Sequence, residues 1–146
     1  MIEIRPVTAE EVRPIRRRVL RAGLPRPNVR FEGDDAGDTL HVGAFLEGRL
    51  VAAATVARRP PPDDPSTDTA WQVRGMATEP AMRGRGLGGE LLERCIRHVE
   101  RLGGVVVWCN ARIRAVPFYE RHGFVRRGDV FEVVDLGPHV RMHRRV

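Results

Sequence analysis

The stretch Arg83-Gly84-Arg85-Gly86-Leu87-Gly88-Gly89 has the residue types of an anion site. Glycines let main-chain N–H groups approach an anion with no Cβ in the way, and a helix starting there adds roughly half a positive charge from its dipole. Arg83 and Arg85 place mobile guanidinium charge beside it. The chemistry is phosphate binding, yet the common phosphate patterns do not fit. A dinucleotide fingerprint belongs in an N-terminal βαβ unit with an acid ending the following strand. Here the turn is central, a hairpin precedes it, and the next strand ends in Cys109-Asn110. A Walker loop needs a lysine, and the chain has none. A different phosphorylated ligand is implied.

Two elements must hold this turn. Residues 71–78 read as a strand stopped by Pro80. Beyond the turn, Leu87, Leu91, Leu92, Cys95, Ile96, Val99 and Leu102 mark one helical face, with Glu90/Arg94 and Glu93/Arg97 at i,i+4 on the other. Gly103-Gly104 ends that helix, and the apolar run 105–109 reads as a central strand covered on both faces. A short helix over about 115–122 carries Pro117 in its first turn and Gly123 just past its end.

The flanking elements follow the same logic. Ile2 and Ile4 alternate with charged residues as a first strand. Thr8 with Glu11 forms a capping box for a helix carrying Val12, Ile15 and Val19, which Pro14 is expected to kink or to start later. Residues 22–38 lack periodicity and read as a loop or broken helix of the kind that lines sites. Residues 40–46 and 50–56 form a hairpin about Glu47-Gly48, residues 58–69 with three consecutive prolines a surface connection, and 131–136 and 140–146 a final strand pair. The order predicts an α/β class fold, a mixed sheet with helices on its faces.

The 146 residues suit one domain, burying about 68–70% of the unfolded surface. No apolar run is long enough to cross a bilayer and the first residues lack a signal peptide, so a soluble cytoplasmic protein with no membrane partner is expected. Cys95 and Cys109 fall in apolar periodic segments outside any Cys/His cluster, which predicts core packing and no metal. The net charge of +6 comes entirely from arginine, scattered among 19 acids. Without interleaved aromatics to stack bases, no nucleic acid partner is expected. The clusters Arg16-Arg17-Arg18 and Arg144-Arg145 read as solvated faces.

The segment from Met76, Ala77 and Thr78 through Gly88 resembles motif A of the GNAT superfamily of acetyl-CoA-dependent N-acetyltransferases. Its signature, Gln or Arg, two residues, Gly, one residue, Gly or Ala, is met by Arg83, Gly86 and Gly88. Asn110-Ala111-Arg112 followed by Ala115-Val116-Pro117-Phe118-Tyr119-Glu120-Arg121-His122-Gly123-Phe124 is similar to the family's motif B, in the family's order and spacing. The resemblance implies a single GNAT domain over 1–146, with a central, mostly antiparallel sheet whose two parallel strands splay near Thr78 and Asn110 to admit pantetheine. It implies acetyl-CoA as cosubstrate. Backbone N–H groups from about Arg83 to Gly89 would then hold the pyrophosphate, with Arg83 and Arg85 as charged partners. Backbone groups of Met76 and Thr78 would pair with the pantetheine amides. Tyr119 stands where many members carry a general acid; a phenol of pKa near 10 can donate to a thiolate whose conjugate acid lies near 8.5. Asn110 would bond pantetheine or tie down the following loop, and Tyr119 would also line the coenzyme.

A substrate ammonium must lose a proton before it attacks, and the base is one of Glu32, Asp34, Asp35, His41, Asp129 or His139. The final-strand loop favours His139 slightly over the rest, while a surface histidine is the plainer expectation. The acceptor is a small-molecule, peptide or protein amine. The acidic stretch 32–35 is a potential local attraction for a cationic one. Homodimers are common in such families, so that arrangement is open. The leading expectation is direct acetyl transfer to a primary amine in a ternary complex; the alternative is a catalytically degenerate acyl-CoA-binding or regulatory module.

Overall fold

A computed structural model describes residues 1–146. The strands are β1 (Ile2–Pro6), β2 (Leu40–Leu46), β3 (Arg49–Arg58), β4 (Ala70–Thr78), β5 (Val106–Arg112), β6 (Val125–Val133) and β7 (Gly137–Arg145). The helices are α1 (Ala9–Ile15), α2 (Leu87–Arg101) and α3 (Val116–Arg121). One seven-stranded sheet runs β1-β2-β3-β4-β5-β7-β6, antiparallel except where β4 meets β5. That parallel ladder holds only Ala70, Trp71 and Gln72 against Val106, Val107 and Trp108. Beyond Gln72 the strands part, and both edges of the opening carry backbone groups without a ladder partner. The mixed sheet with splayed parallel strands is the architecture the sequence predicts.

Helix α2 lies on one face. Leu87, Leu91, Leu92, Cys95, Ile96 and Val99 are buried against Val42, Val51, Val56, Val73 and Trp71 of β2, β3 and β4. Fully burying each such side chain contributes about 1.5–3 kcal/mol before the entropy of ordering it. The turn after α2 needs Gly104: a Cβ there would collide with Val99 and stand 2.7 Å from the Trp71 ring. On the opposite face Val12 and Ile15 of α1 bury against Ala53 and Ala77.

Three expectations shift. Helix α1 starts where its capping box puts it, with the Glu11 N–H on Thr8 Oγ1 and the Thr8 N–H on Glu11 Oε1, and Pro14 does not delay it. The chain instead widens into a π turn over Arg16–Leu20, closed by the Arg21 N–H on the Arg16 carbonyl at 3.1 Å. The final strands are longer than the apolar runs that marked them, because β6 is an exposed edge strand and hydropathy marks only its inner end. The basic clusters are not simple solvated faces either. Arg16 is fully buried, and Arg144 donates to Glu93 and to the His122 carbonyl. Arg16 shares the i,i+4 face of Val12, which is the signal that its cluster obscured.

Candidate active site

The turn predicted to bind phosphate is shaped as a row of free donors. Gly84 (φ +79°) and Gly86 (φ +77°) sit in the left-handed region that favours glycine, and Gly86 caps α2 without a side-chain bond. The Arg83 N–H is taken by the Pro80 carbonyl at 3.3 Å, so the open donors begin at Gly84 and run through Arg85, Gly86, Leu87, Gly88 and Gly89. A Cβ at Gly89 would stand 2.8 Å from the His122 ring, so that ring would have to move aside. The Arg83 side chain folds back onto the Thr78 carbonyl at 3.3 Å, whereas Arg85 is exposed and has no protein partner. The Leu87 side chain joins the core and leaves only its N–H at the turn.

The turn opens into the gap between β4 and β5. A groove of about 710 Å³ surrounds the start of α2, and a cleft of about 560 Å³ fills the gap; Thr78, Arg83, Gly88 and Phe118 line both, so the two form one channel. Met76 and Thr78 line the cleft from β4, and Asn110 and Tyr119 from the other side. Ala77 turns its side chain into the α1 core and does not line the channel. The β4 wall bends because Gly75 and Met76 together oppose Ala54 of β3, a bulge with Gly75 at φ +63°. Arg16 Nε lies 3.0 Å from where a Gly75 Cβ would stand. Gly75 did not figure in the sequence reading, although an isolated glycine inside a strand pattern is the signature of such a bulge.

Tyr119 is buried, its ring edge-on to Phe118 at 5.1 Å and to Phe124 at 5.3 Å. Burial, with the neighbouring Cys109 and Cys95 sulfurs adding to it, pushes its pKa well above the ordinary phenol value and keeps it protonated. Asn110 is exposed to the cleft and its amide bonds no protein group, so nothing in the structure ties the following loop through it.

The carboxylates proposed as bases do not reach the cleft. Asp34 pairs with Arg16, Glu32 pairs with Arg59 at 3.2 Å, and Asp35 and Asp129 are exposed elsewhere. His41 is buried in a structural network. Its Nε2–H donates to the Asp34 carbonyl at 2.9 Å, and its Nδ1 is 2.7 Å from the Thr55 hydroxyl, which accepts from Arg16. Both ring nitrogens are thereby engaged, and neither faces the cleft. His139 alone lines the cleft. It is buried rather than a surface histidine, stacked on Phe131 and paired in register with Arg112. Its Nδ1 is 2.8 Å from the Gly137 carbonyl, which can only accept, so Nδ1 carries a proton and the neutral ring has its lone pair on Nε2.

The donor row, the split strands and the connecting channel suit a long ligand with a phosphorylated end and a narrow amide-bearing arm. Residues 9–124 match the Acetyltransferase (GNAT) family. Over 146 residues the chain is 28% identical to the protein named Uncharacterized N-acetyltransferase YitI of Bacillus subtilis (strain 168), covering 99% of this chain and 96% of that protein. Among solved structures, Escherichia coli ElaA has a TM-score of 0.79 at 21% identity, with 99% of each chain covered. An aminoglycoside 6'-N-acetyltransferase complexed with coenzyme A has a TM-score of 0.75 at 14% identity, with 98% of this chain and 96% of that chain covered. By its matched residues, its fold and its N-acetyltransferase relative, this chain belongs to the GNAT family of N-acetyltransferases.

Proposed function

We propose that residues 1–146 act as a single domain that transfers the acetyl group of acetyl-CoA to a primary amine, by direct attack within a ternary complex. The observation that carries this is the run of unpaired N–H groups from Gly84 to Gly89, opening into the gap where β4 and β5 separate after Gln72. The bound thioester supplies the acetyl group. The open N–H groups hold the pyrophosphate, with Arg83 adding charge at the channel entrance. The β4 backbone at Met76 and Thr78 and the Asn110 amide bond the pantetheine arm and aim it along the split. Holding both reactants in one cleft is the main source of rate.

Two side chains move protons. His139 Nε2 takes one from the incoming ammonium, directly or through a water, while the Gly137 carbonyl holds its Nδ1–H and fixes the ring. Tyr119 gives one to the departing sulfur and is restored by the second proton that the nitrogen sheds as the amide forms; its raised pKa keeps the phenol protonated between turnovers. Direct transfer is favoured over an acetylated cysteine because burial pushes both thiols up to about 12. No helix is long and apolar enough to cross a membrane, and two unpaired cysteines fit a cytoplasmic setting.

The test is a thermal shift with acetyl-CoA followed by free-thiol release over a panel of amines. Stabilisation together with release supports the transferase. Stabilisation without release from any amine reduces the chain to an acyl-CoA-binding module, and absence of any shift removes the coenzyme.

A further inference from the structure

The amine end of the cleft is a cavity of unpaired cations. Arg21, Arg74, Arg112 and Arg114 line it, and none of them forms an ion pair. No aspartate or glutamate lines it either. Elsewhere the buried Arg16 is ion-paired with Asp34 and the half-buried Arg144 with Glu93. The acidic stretch 32–35 lies beside this cavity in sequence but does not neutralise it; of that loop only Phe31 faces the cleft.

The arginines are also positioned. Arg74 is half-buried and lays its guanidinium on the Phe31 ring, 4.5 Å from the centroid, with Arg21 at 5.5 Å from the same ring. Arg74 spends no N–H on the protein, and Arg112 spends only Nη2, on the Leu20 carbonyl at 2.9 Å. Like charges gathered out of water repel. Burial first, then neighbouring guanidinium charge, lowers the pKa of Arg21, Arg74 and Arg112. On the cleft floor the buried Gln72 has an Oε1 with no hydrogen-bond partner, a neutral acceptor suited to an N–H. These arginines stay with the cleft; of the chain's arginines only Arg83, Arg97 and Arg121 reach the groove around the α2 start.

Building on the acetyltransferase reading, we infer that the acceptor is an amine bearing its own carboxylate or phosphate, held by charge-assisted bonds from Arg21, Arg74 and Arg112. The anion relieves the repulsion among them. The same cations disfavour an ammonium, so they lower the acceptor's pKa and raise the share of free amine that attacks. Lysine-rich protein segments and polyamines fit this cavity poorly.

The experiment measures thiol release at saturating acetyl-CoA with matched acceptors: an α-amino acid against its carboxamide, phosphoethanolamine against ethanolamine, and a polyamine. At least one anionic member is expected to exceed its neutral partner in kcat/KM by about tenfold or more, in the range one bond to a charged group supplies; which pair shows it distinguishes carboxylate from phosphate. Arg74→Gln is expected to erase most of that preference and leave the KM for acetyl-CoA unmoved, with Arg74→Lys retaining part of it. Arg21→Gln serves if Arg74→Gln lowers the melting temperature. Preference for neutral or polycationic amines overturns the inference, as does acetyl-CoA binding with no turnover of either anionic member. It is equally overturned if Arg74→Gln raises the KM for acetyl-CoA and spares the acceptor preference. Loss of both acetyl-CoA stabilisation and thiol release fails the transferase reading itself.

Discussion

Arg16 grips Asp34 with two N–H···O bonds, Nη1 to Oδ2 at 2.7 Å and Nη2 to Oδ1 at 3.0 Å, with both side chains closed to solvent. The same guanidinium donates to the Val29 carbonyl and to Thr55, and stacks on Phe31 at 4.0 Å beneath the Gly75 bulge. One buried cation therefore fixes the loop 29–34 against the bent strand. Asp34→Asn leaves that cation unbalanced, and we expect a loss of about 3 kcal/mol or more by chemical denaturation. Because Phe31 rests on the same group, the KM for the acceptor should rise more than the KM for acetyl-CoA. Unchanged stability would show that the pair does not hold the loop.

The pair also sets an acid limit. Burial raises the Asp34 pKa, but the bonds from Arg16 and the Phe31 N–H, together with the Arg16 charge, outweigh it and leave the carboxyl below its ordinary value. The unfolded chain thus takes up this proton more readily than the folded one. The contribution is complete above about pH 4 and is lost as the pH falls through the lower, folded value. Denaturation midpoints should fall over that window in the native protein, and the part due to Asp34 should be absent in Asp34→Asn.

How far the sequence reached depends on what its signals report. Glycines, prolines and apolar spacing placed α2, the β4–β5 pair and the donor turn, because backbone freedom and helical period are local properties. Tyr119 and Asn110 carry no local signal of their own and stand out only through the motif that surrounds them. Arg16 and His41 were misread because a charged or ionisable side chain carries no local mark of burial; only the fold brings Asp34 and Thr55 to them across the chain. The cation-lined cavity was invisible for the same reason, since Arg21 follows the π turn while Arg74 and Arg112 come from β4 and β5.

Tyr119→Phe removes the phenol and keeps the ring that packs against Phe118 and Phe124. Turnover should fall on the order of 10- to 100-fold, because a thiolate leaves readily and positioning supplies the larger share. The melting temperature and the KM for acetyl-CoA should stay near native. Native turnover in a folded variant would remove Tyr119 from proton transfer.

His139→Ala deletes the only base candidate in the cleft. A fall in kcat of about 100-fold is expected, with partial recovery on adding imidazole to the assay. His139→Gln, which keeps a polar group beside the Gly137 carbonyl, separates lost basicity from lost packing: it should fold normally and remain slow. Full activity in His139→Gln would assign the proton to water alone.

Direct transfer and a covalent acetyl-enzyme differ in their kinetic pattern, and the cysteines decide which is chemically open. Cys109 sits on β5 next to Asn110, with its side chain in the core and outside the cleft lining. It is buried beside Tyr119, and burial pushes its thiol up to about 12, so at neutral pH almost none is thiolate. Cys95, inside α2, is raised equally and does not line the cleft. Cys109→Ala should therefore keep most of the native kcat, with any loss tracking a lower melting temperature from the small cavity. Initial rates with both substrates varied should give intersecting reciprocal plots, and a thiol reagent should label both cysteines only after unfolding. Parallel plots, together with an inactive but folded Cys109→Ala, would establish an acetyl-cysteine and replace the ternary complex.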